Sequence, residues 1–252
     1  MQSVCGQHDA SFAGAALCRA TQAIIGAMDL SEALSRSPLF AELPNEVLEY
    51  AGAALKRMEY TSGAHIWLEG DVAHSVYVLV SGQVRVYRLG AEGDEVVAGV
   101  FAPGDHFGEF GLFADGPRIT SAQATQPTVC LAVAREPLLE LLERSPLLMR
   151  RMLRSLSRTS RDQLEDFAAV ALRDIGGRIA RKLLELAERH AEPTGEGVRI
   201  TMRLTQTDLA RMIAASRANV NRALAALNAD GVVRHEHGYF TILRPDALRE
   251  RA

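Results

Sequence analysis

Between Pro103 and Ala122 the chain reads PGDHFGEFGLFADGPRITSA, with Gly104, Gly108, Gly111 and Gly116 set around one carboxylate, Glu109, and one cation, Arg118. Such a stretch can be a turn closed by a salt bridge, or it can cradle a phosphate. Gly108 lets the backbone approach a ligand closely. A short helical turn over residues 109–113, including Phe110 and Gly111, would point amide N–H groups at an anion. Arg118 lies nine residues after Glu109 and can return to neutralise that anion with a two-pronged guanidinium. A carboxylate beside a phosphate is suited to accept from a sugar hydroxyl, so the chemistry points to a phosphorylated ribose.

A second group of chemistry-bearing residues lies in SRANVNRAL. If this segment is helical, Val220, Leu224 and Leu227 face inward, while Arg217, Asn219, Asn221 and Arg222 face out. There is no acid between Asp208 and Asp230, whereas Arg211, Arg217 and Arg222 are present. Arginine forks onto guanine edges and asparagine pairs with adenine, and both hold phosphates. The competing reading is a helical hairpin with a solvated basic face.

The elements that position these residues follow from pattern. Residues 1–30, rich in Ala, Ser and Gln, read as an N-terminal extension, either a loose helix or a disordered arm. Residues 31–57 read as one or two short helices, with Ser31 as a cap and breaks at Pro38 and Pro44. From Met58 to Val133, short apolar runs separated by turn signals predict an antiparallel sandwich or barrel, and no long helix fits between them. Residues 135–143 form a short helix. Pro146 starts a long helix to Leu172, with Leu153, Leu156, Phe167 and Val170 along one side and Ser160 and Gln163 in the heptad places between. A helix–helix dimer seam is the natural use of that stripe, the alternative being packing on its own domain. Asp174-Ile-Gly-Gly breaks the run, a helix follows over 178–190, and AEPTGEG reads as a loop. Then Thr205 caps a helix with Asp208 at its third position and Leu209, Met212 and Ile213 inward. Ala214-Ala215 makes a tight connection to a helix capped by Ser216, and VVRHEHGYFTI alternates as a hairpin turning at Gly238. This is a winged helix-turn-helix.

Bulk properties agree. The chain has 252 residues, 48% hydrophobic and 23% charged, as expected of a globular protein with a sizeable core. Net charge is −3, but residues 1–172 hold 14 basic and 21 acidic side chains, whereas 173–252 hold 14 and 10. The opposite signs predict two domains with different partners. Cys5, Cys18 and Cys130 are widely spaced, which argues against a disulfide framework or structural zinc and fits a reducing, cytoplasmic setting. No apolar run reaches membrane length, and a signal peptide is not expected because no cationic segment precedes the apolar patches FAGAAL and AIIGAM.

FGEFGLFADGPRITSAQA resembles the phosphate-binding cassette of cyclic-nucleotide-binding domains, F-G-E-L-A/G-L-x4-P-R-x-A/S-x-x-x-A. SGQVRVY, and Gly63, Ile66, Glu69, Gly70 and Asp71 before it, resemble the other signatures of that β-roll. SRANVNRAL, with DIGGRIARKLLELA upstream, is similar to the C-terminal domain of the CRP/FNR transcription regulators. The likeness runs from about residue 34 to 245 in the same order. It implies an α+β chain in four parts: an extension (1–30), an antiparallel β-roll of the cyclic-nucleotide-binding fold (31–145), a long dimerisation helix (146–172) and a winged helix-turn-helix (173–252).

The resemblance implies a cyclic nucleotide effector, cyclic AMP first, and a homodimer on palindromic double-stranded DNA, with RNA polymerase as a further partner. Glu109 would accept the ribose 2′-OH, and Arg118 with the amides near Gly108 and Phe110 would hold the cyclic phosphate. Gly111, Ile119, Thr120 and Gln163 complete the ligand set. Arg217 and Arg222 would touch base edges and Thr205 and Ser216 phosphates, joined by Gln206, Asn219 and Asn221.

Three departures bear on specificity. Ile119 stands where cyclic AMP receptors often have a hydroxyl. Gln163-Leu164 falls where those receptors place Thr-Ser for the adenine amino group, with Thr159-Ser160 one turn earlier. Ala218 replaces a frequent Glu, so a cytosine acceptor is lost and the operator should differ.

Other sensors and enzymes fit less well. An iron–sulfur sensor lacks ligands. Haem would need His65, His74 or His106, and His235-x-His237 reads as strand alternation, so no metal is expected. A cupin-like enzyme would need a second His beside His106 and Glu109, and no nucleophile–base pair stands out.

Overall fold

The computed structural model describes residues 34 and 36–252. The extension at 1–30 and the cap expected at Ser31 lie outside these residues. Helix α1 (Asn45–Ala54) leads into β1 (Leu55–Tyr60), and seven further strands follow before the next long helix: β2 (His65–Trp67), β3 (Ser75–Ser81), β4 (Val84–Leu89), β5 (Glu95–Phe101), β6 (His106–Phe107), then, after the one-turn helix α2 (Glu109–Phe113), β7 (Ser121–Ala124) and β8 (Thr128–Ala134). Strand β8 closes the set, and α3 (Arg135–Arg144) follows directly. These strands form two four-stranded antiparallel sheets, ordered β1-β8-β3-β6 and β2-β7-β4-β5. The aromatic residues between them, Trp67, Tyr77, Phe101 and Phe107, lie with ring centroids 5.3–5.6 Å apart. Phe107 sits at the centre of that group.

The strand region begins at Leu55 rather than Met58, and the helix expected to reach residue 57 ends at Ala54. The reason is tertiary: all six residues of β1 pair with β8, from Leu55 opposite Val133 to Tyr60 opposite Thr128. A full ladder outweighs the local helical tendency of this Ala-rich segment.

Helix α4 (Pro146–Leu172) starts with Pro146 in its first turn and with the Ser145 hydroxyl accepting from Leu148 N at 3.2 Å. Its first turns pack on the roll through Leu148 and Met152. Further along, Leu153, Leu164, Phe167, Val170 and Leu172 are exposed, Phe167 by 75%. Among the described residues, no helix is long and apolar enough to cross a membrane.

Helix α5 (Ile175–Arg189) begins three residues earlier than expected. Asp174 caps it by accepting from Gly177 N at 2.7 Å, so the two glycines lie inside the first turn instead of breaking the chain. Gly177 is required there by space, since a Cβ would stand 2.9 Å from the carbonyl of Arg251. The segment read as a loop is a hairpin, β9 (Ala191–Thr194) with β10 (Gly197–Ile200). Pro193 is tolerated because β9 is an edge strand. Then come α6 (Gln206–Met212), α7 (Arg217–Ala229), the wing strands β11 (Val233–Glu236) and β12 (Tyr239–Ile242), and α8 (Pro245–Arg249). His237 and Gly238 turn the wing with φ of 53° and 85°.

The core of this C-terminal unit, built on Ile179, Leu183, Leu209, Val220 and Phe240, is continuous with Tyr87, Val97, Val100 and Ala102 of the roll. The two units therefore share an apolar seam. Cys130 is buried within the roll, and burial pushes its thiol up to about 12.

Truncating Phe107 to Ala should cost about 3–5 kcal/mol, read as an earlier urea midpoint of the roll's unfolding transition. The Cys130 thiol should resist iodoacetamide at pH 8 in the native protein and react on unfolding.

Candidate functional site

Strand β6 ends at Phe107, and Gly108 turns the chain with φ of 95°, a value that disfavours any side chain. A Cβ there would also lie 3.0 Å from the Arg118 guanidinium and 3.3 Å from Trp67. The turn delivers Glu109 to the start of α2, and both Glu109 (5% exposed) and Arg118 (4%) are buried. Arg118 donates its two terminal nitrogens to the carbonyls of Gly108 and Ser75, and its guanidinium lies over the Trp67 ring at 4.1 Å. Trp67 is fixed in turn by donating to Thr120 O at 2.8 Å. Burial lowers the Arg118 pKa, opposed by Tyr77, Glu109 and Asp71.

The stretch is therefore not a turn closed by a Glu–Arg salt bridge, because the terminal nitrogens of Arg118 go to backbone carbonyls. Glu109 Oε2 and Arg118 Nε are buried with no hydrogen-bond partner. Two charged groups are thus held in a low-dielectric place with bonding capacity left over, which is costly unless a ligand completes them.

Both residues line a cavity of about 590 Å³. Gly108, Glu109, Phe110, Gly111, Arg118, Ile119 and Thr120 line it from the roll. Ser155, Thr159 and Gln163 line it from α4, one helical turn apart. Gln163 thus enters the cavity, whereas Leu164 is 68% exposed and is not among its walls. Thr159 also lines the cavity, but its hydroxyl donates to Ser155 O at 3.1 Å and Ser160 lies on the exposed side. Of the histidines considered for haem, His65 is bonded to the Tyr87 hydroxyl at 2.9 Å, while His106 lines the cavity with Nε2 unpartnered.

The third wall was not anticipated. Lys182, Glu185, Leu186, Arg189 and His190, from α5 and the residue that ends it, line the cavity together with Met212 of α6. A ladder of ion pairs joins α4 to α5: Arg158–Glu188 at 2.7 Å, Asp162–Arg189, Asp166–Arg181 at 2.7 Å and Asp166–Lys182 at 2.6 Å. The acids at 162 and 166 and the bases at 181, 182 and 189 were visible in the chain, but only the fold shows that the two helices lie side by side.

Three polar ties also hold the C-terminal unit to the roll. Glu95 lies between Arg85 (2.7 Å) and Arg211 (2.9 Å). The Gln83 amide donates to Arg203 O at 3.0 Å and accepts from Arg203 N at 3.2 Å. His190 Nε2 lies 2.9 Å from Asp105 Oδ2. Arg211, part of the acid-free basic stretch, thus faces the roll.

In the C-terminal unit, Thr205 and Asp208 complete a full capping box on α6. Ala214, at φ 50°, makes the tight connection, and Ser216 caps α7 by accepting from Asn219 N at 3.3 Å. Val220, Leu224 and Leu227 are buried, which leaves Arg217, Asn219, Asn221 and Arg222 exposed. Arg217 and Arg222 have no hydrogen-bond or ion-pair partner among the described residues. Thr205 is exposed, whereas Gln206 is half-buried and borders a small depression with Asn221 and His235. On the wing, His235 stacks on Phe240 and bonds Leu204 O at 3.1 Å. The His235-x-His237 pair is not the strand alternation expected from the chain: β11 ends at Glu236, and His237 sits in the turn at φ 53°. Among the described residues no group of three or more His, Cys, Asp or Glu lies together as a metal site would require.

Comparison with known proteins follows the same division. Residues 57–145 match the cyclic nucleotide-binding domain and residues 177–251 the Crp-like helix-turn-helix domain. The CRP-like cAMP-activated global transcriptional regulator of Mycobacterium tuberculosis is 30% identical over 223 residues, covering 88% of this chain and all of that one. The cyclic AMP receptor protein of Thermus thermophilus is 32% identical over 86% of this chain and 97% of its own. FixK2 from Bradyrhizobium japonicum has the same fold, with a TM-score of 0.68 at 21% identity over 78% of this chain and 96% of that one. With an antiparallel roll ahead of a long helix and a winged helix-turn-helix, and relatives matched along nearly the whole chain, this protein belongs to the CRP/FNR family of DNA-binding transcription regulators.

Proposed function

We propose that the protein is a cytoplasmic, cyclic-nucleotide-responsive regulator of transcription, with cyclic AMP as its effector. The observation that carries this reading is the buried pair Glu109 and Arg118, each with an unsatisfied polar atom at one end of a roomy cavity. A ribose 2′-OH donates to Glu109, and a cyclic phosphate receives Arg118 together with the amides near Gly108 and Phe110. Gly111, Ile119 and Thr120 border the sugar and base, and Gln163 meets the base from α4. The names of the M. tuberculosis and T. thermophilus relatives support cyclic AMP.

Residues 31–145 then form the sensing unit, 146–172 the helix of a homodimer and 173–252 the DNA reader, preceded by the extension 1–30. The exposed stripe of Leu153, Leu164, Phe167 and Val170 supports the dimer, since an unpaired apolar face on a long helix calls for a partner helix. A two-fold dimer reads a palindromic operator of double-stranded DNA in successive major grooves. Arg217, Asn219, Asn221 and Arg222 contact bases and phosphates there. Thr205, Gln206 and Ser216 contact the backbone, and RNA polymerase is the partner on the promoter. No step of this function calls for catalysis or a metal.

A second reading is favoured by one observation. Gln163 faces the cavity and Leu164 faces away, so the base meets an amide from α4 and no hydroxyl pair. An amide both donates and accepts, so the same pocket suits another purine edge. The alternative is a CRP/FNR-type regulator that needs no ligand or senses another signal: a haem-bound gas, a redox change or cyclic di-GMP.

Calorimetric titration with cyclic AMP, cyclic GMP and cyclic di-GMP decides between them. Glu109→Ala and Arg118→Ala should each lower cyclic AMP affinity by about 100-fold, the loss of one charge-assisted contact in a buried site. Unchanged affinity, or no binding of any cyclic nucleotide, would overturn the effector reading. Operator binding should weaken with salt in proportion to the phosphates contacted, and Arg222→Ala should cost about 1–3 kcal/mol in a gel-shift titration. Phe167→Glu should shift the protein from dimer to monomer in sedimentation velocity, and operator affinity should fall with it.

A further inference from the structure

The geometry points to a strut between the effector pocket and the DNA-binding unit of the same chain: we propose that His190, acting through Asp105, positions the segment that carries Glu109. This rests on the reading that Glu109 holds the effector's ribose, but the strut itself is defined by contacts that need no ligand.

His190 is well anchored in the DNA-binding unit. Its N–H bonds Leu186 O at 2.9 Å, and its carbonyl accepts from Thr201 N at 2.8 Å and from the Thr201 hydroxyl at 3.2 Å. Its ring crosses to Asp105 at 2.9 Å, and both side chains are shielded, at 11% and 20% exposure. Asp105 is equally well tied into the roll. Oδ2 accepts from Ala102 N at 2.8 Å, its carbonyl accepts from Leu79 N at 2.8 Å, and the preceding Gly104 N bonds Leu79 O at 2.8 Å.

Asp105 lies four residues before Glu109. The residues between are stiff. His106 and Phe107 form β6, paired to Val78 and Tyr77, and Phe107 is locked among aromatic rings. Gly108 then turns directly into Glu109. A shift at Asp105 is therefore carried to the carboxylate with little slack. Asp105, His106, Gly108, Glu109 and His190 all line the one cavity, so an effector bound there touches both ends of the strut. Along the backbone, the same two units are otherwise connected by the 27 residues of α4.

Coupling between two sites requires an element whose arrangement both sites bias. The strut is such an element: operator binding acts on it through α5, and the effector acts on it through β6. By reciprocity, its loss weakens the influence of DNA on effector affinity as much as the reverse.

Two measurements on the full-length dimer test this. The first is hydrogen exchange without ligand. His190→Ala should speed amide exchange across residues 104–113 by about tenfold while β3 and β8 keep their protection. His190→Gln keeps a donor and should restore it. The second is the factor by which saturating cyclic AMP raises operator affinity. That factor should fall about fivefold in His190→Ala and in Asp105→Asn, and no further in the double variant. Unchanged exchange at 104–113 in His190→Ala overturns the strut, and so do losses that simply add in the double variant. If the wild-type protein binds no cyclic nucleotide, the effector reading falls, and the exchange result alone decides the strut.

Discussion

The burial of Arg118 and Glu109 is the constraint around which the roll is arranged. A guanidinium removed from water needs acceptors and a polarisable neighbour, and the fold supplies two carbonyls and the face of Trp67. Those acceptors dictate their own surroundings. The Gly108 carbonyl can reach Arg118 only because Gly108 adopts a left-handed conformation and carries no side chain to collide with it. The backbone of Arg118 is held on both sides by the turn containing Gly70 and Asp71, through Gly70 N to Arg118 O and Arg118 N to Asp71 O, each at 2.8 Å. The earlier glycine signature and the cassette are thus one structural unit.

The second organising fact is that the cavity is walled by three parts of the chain. The roll offers charge and backbone amides, α4 offers the amide of Gln163, and α5 offers charged side chains already paired with α4. Any molecule filling this space would touch the roll, the long helix and the DNA-binding unit at once. Buried and half-buried ion pairs of this sort add little net stability but fix orientation, since each requires its partner in one place. The ladder therefore sets the angle at which α5, and the helix-turn-helix behind it, leaves α4.

Much of this was legible in the chain. The cassette, the capped helices of the C-terminal unit, the outward Arg217, Asn219, Asn221 and Arg222, and the bounds of the long helix all follow from local rules: cap residues, period and the placement of Gly and Pro. What escaped was non-local. The start of β1 at Leu55 depends on pairing with β8, where its partner Val133 lies 78 residues along the chain. Asp174-Ile-Gly-Gly looked like a break because glycine disfavours helix, yet the space beside Arg251 requires glycine at 177. The AEPTGEG segment has loop composition and becomes a hairpin because β10 can pair with β12 of the wing. The third wall of the cavity had no local signal at all, since His190 and Asp105 are recognised as partners only once the two units are docked.

Among the ties across that docking surface, the bond between Gln83 and Arg203 differs in kind. It is a side-chain amide bonded in both directions to a peptide group, neutral on both sides. Added electrolyte weakens the most exposed rung of the ladder, Arg158–Glu188, while the shielded pairs Glu95–Arg211 and Asp166–Lys182 are screened much less and an uncharged amide pair is nearly untouched. The apolar seam through Tyr87, Val97 and Val100 carries no charge to screen. In concentrated salt the DNA reader therefore stays seated on the roll, and what loosens first is the outer end of the join between α4 and α5.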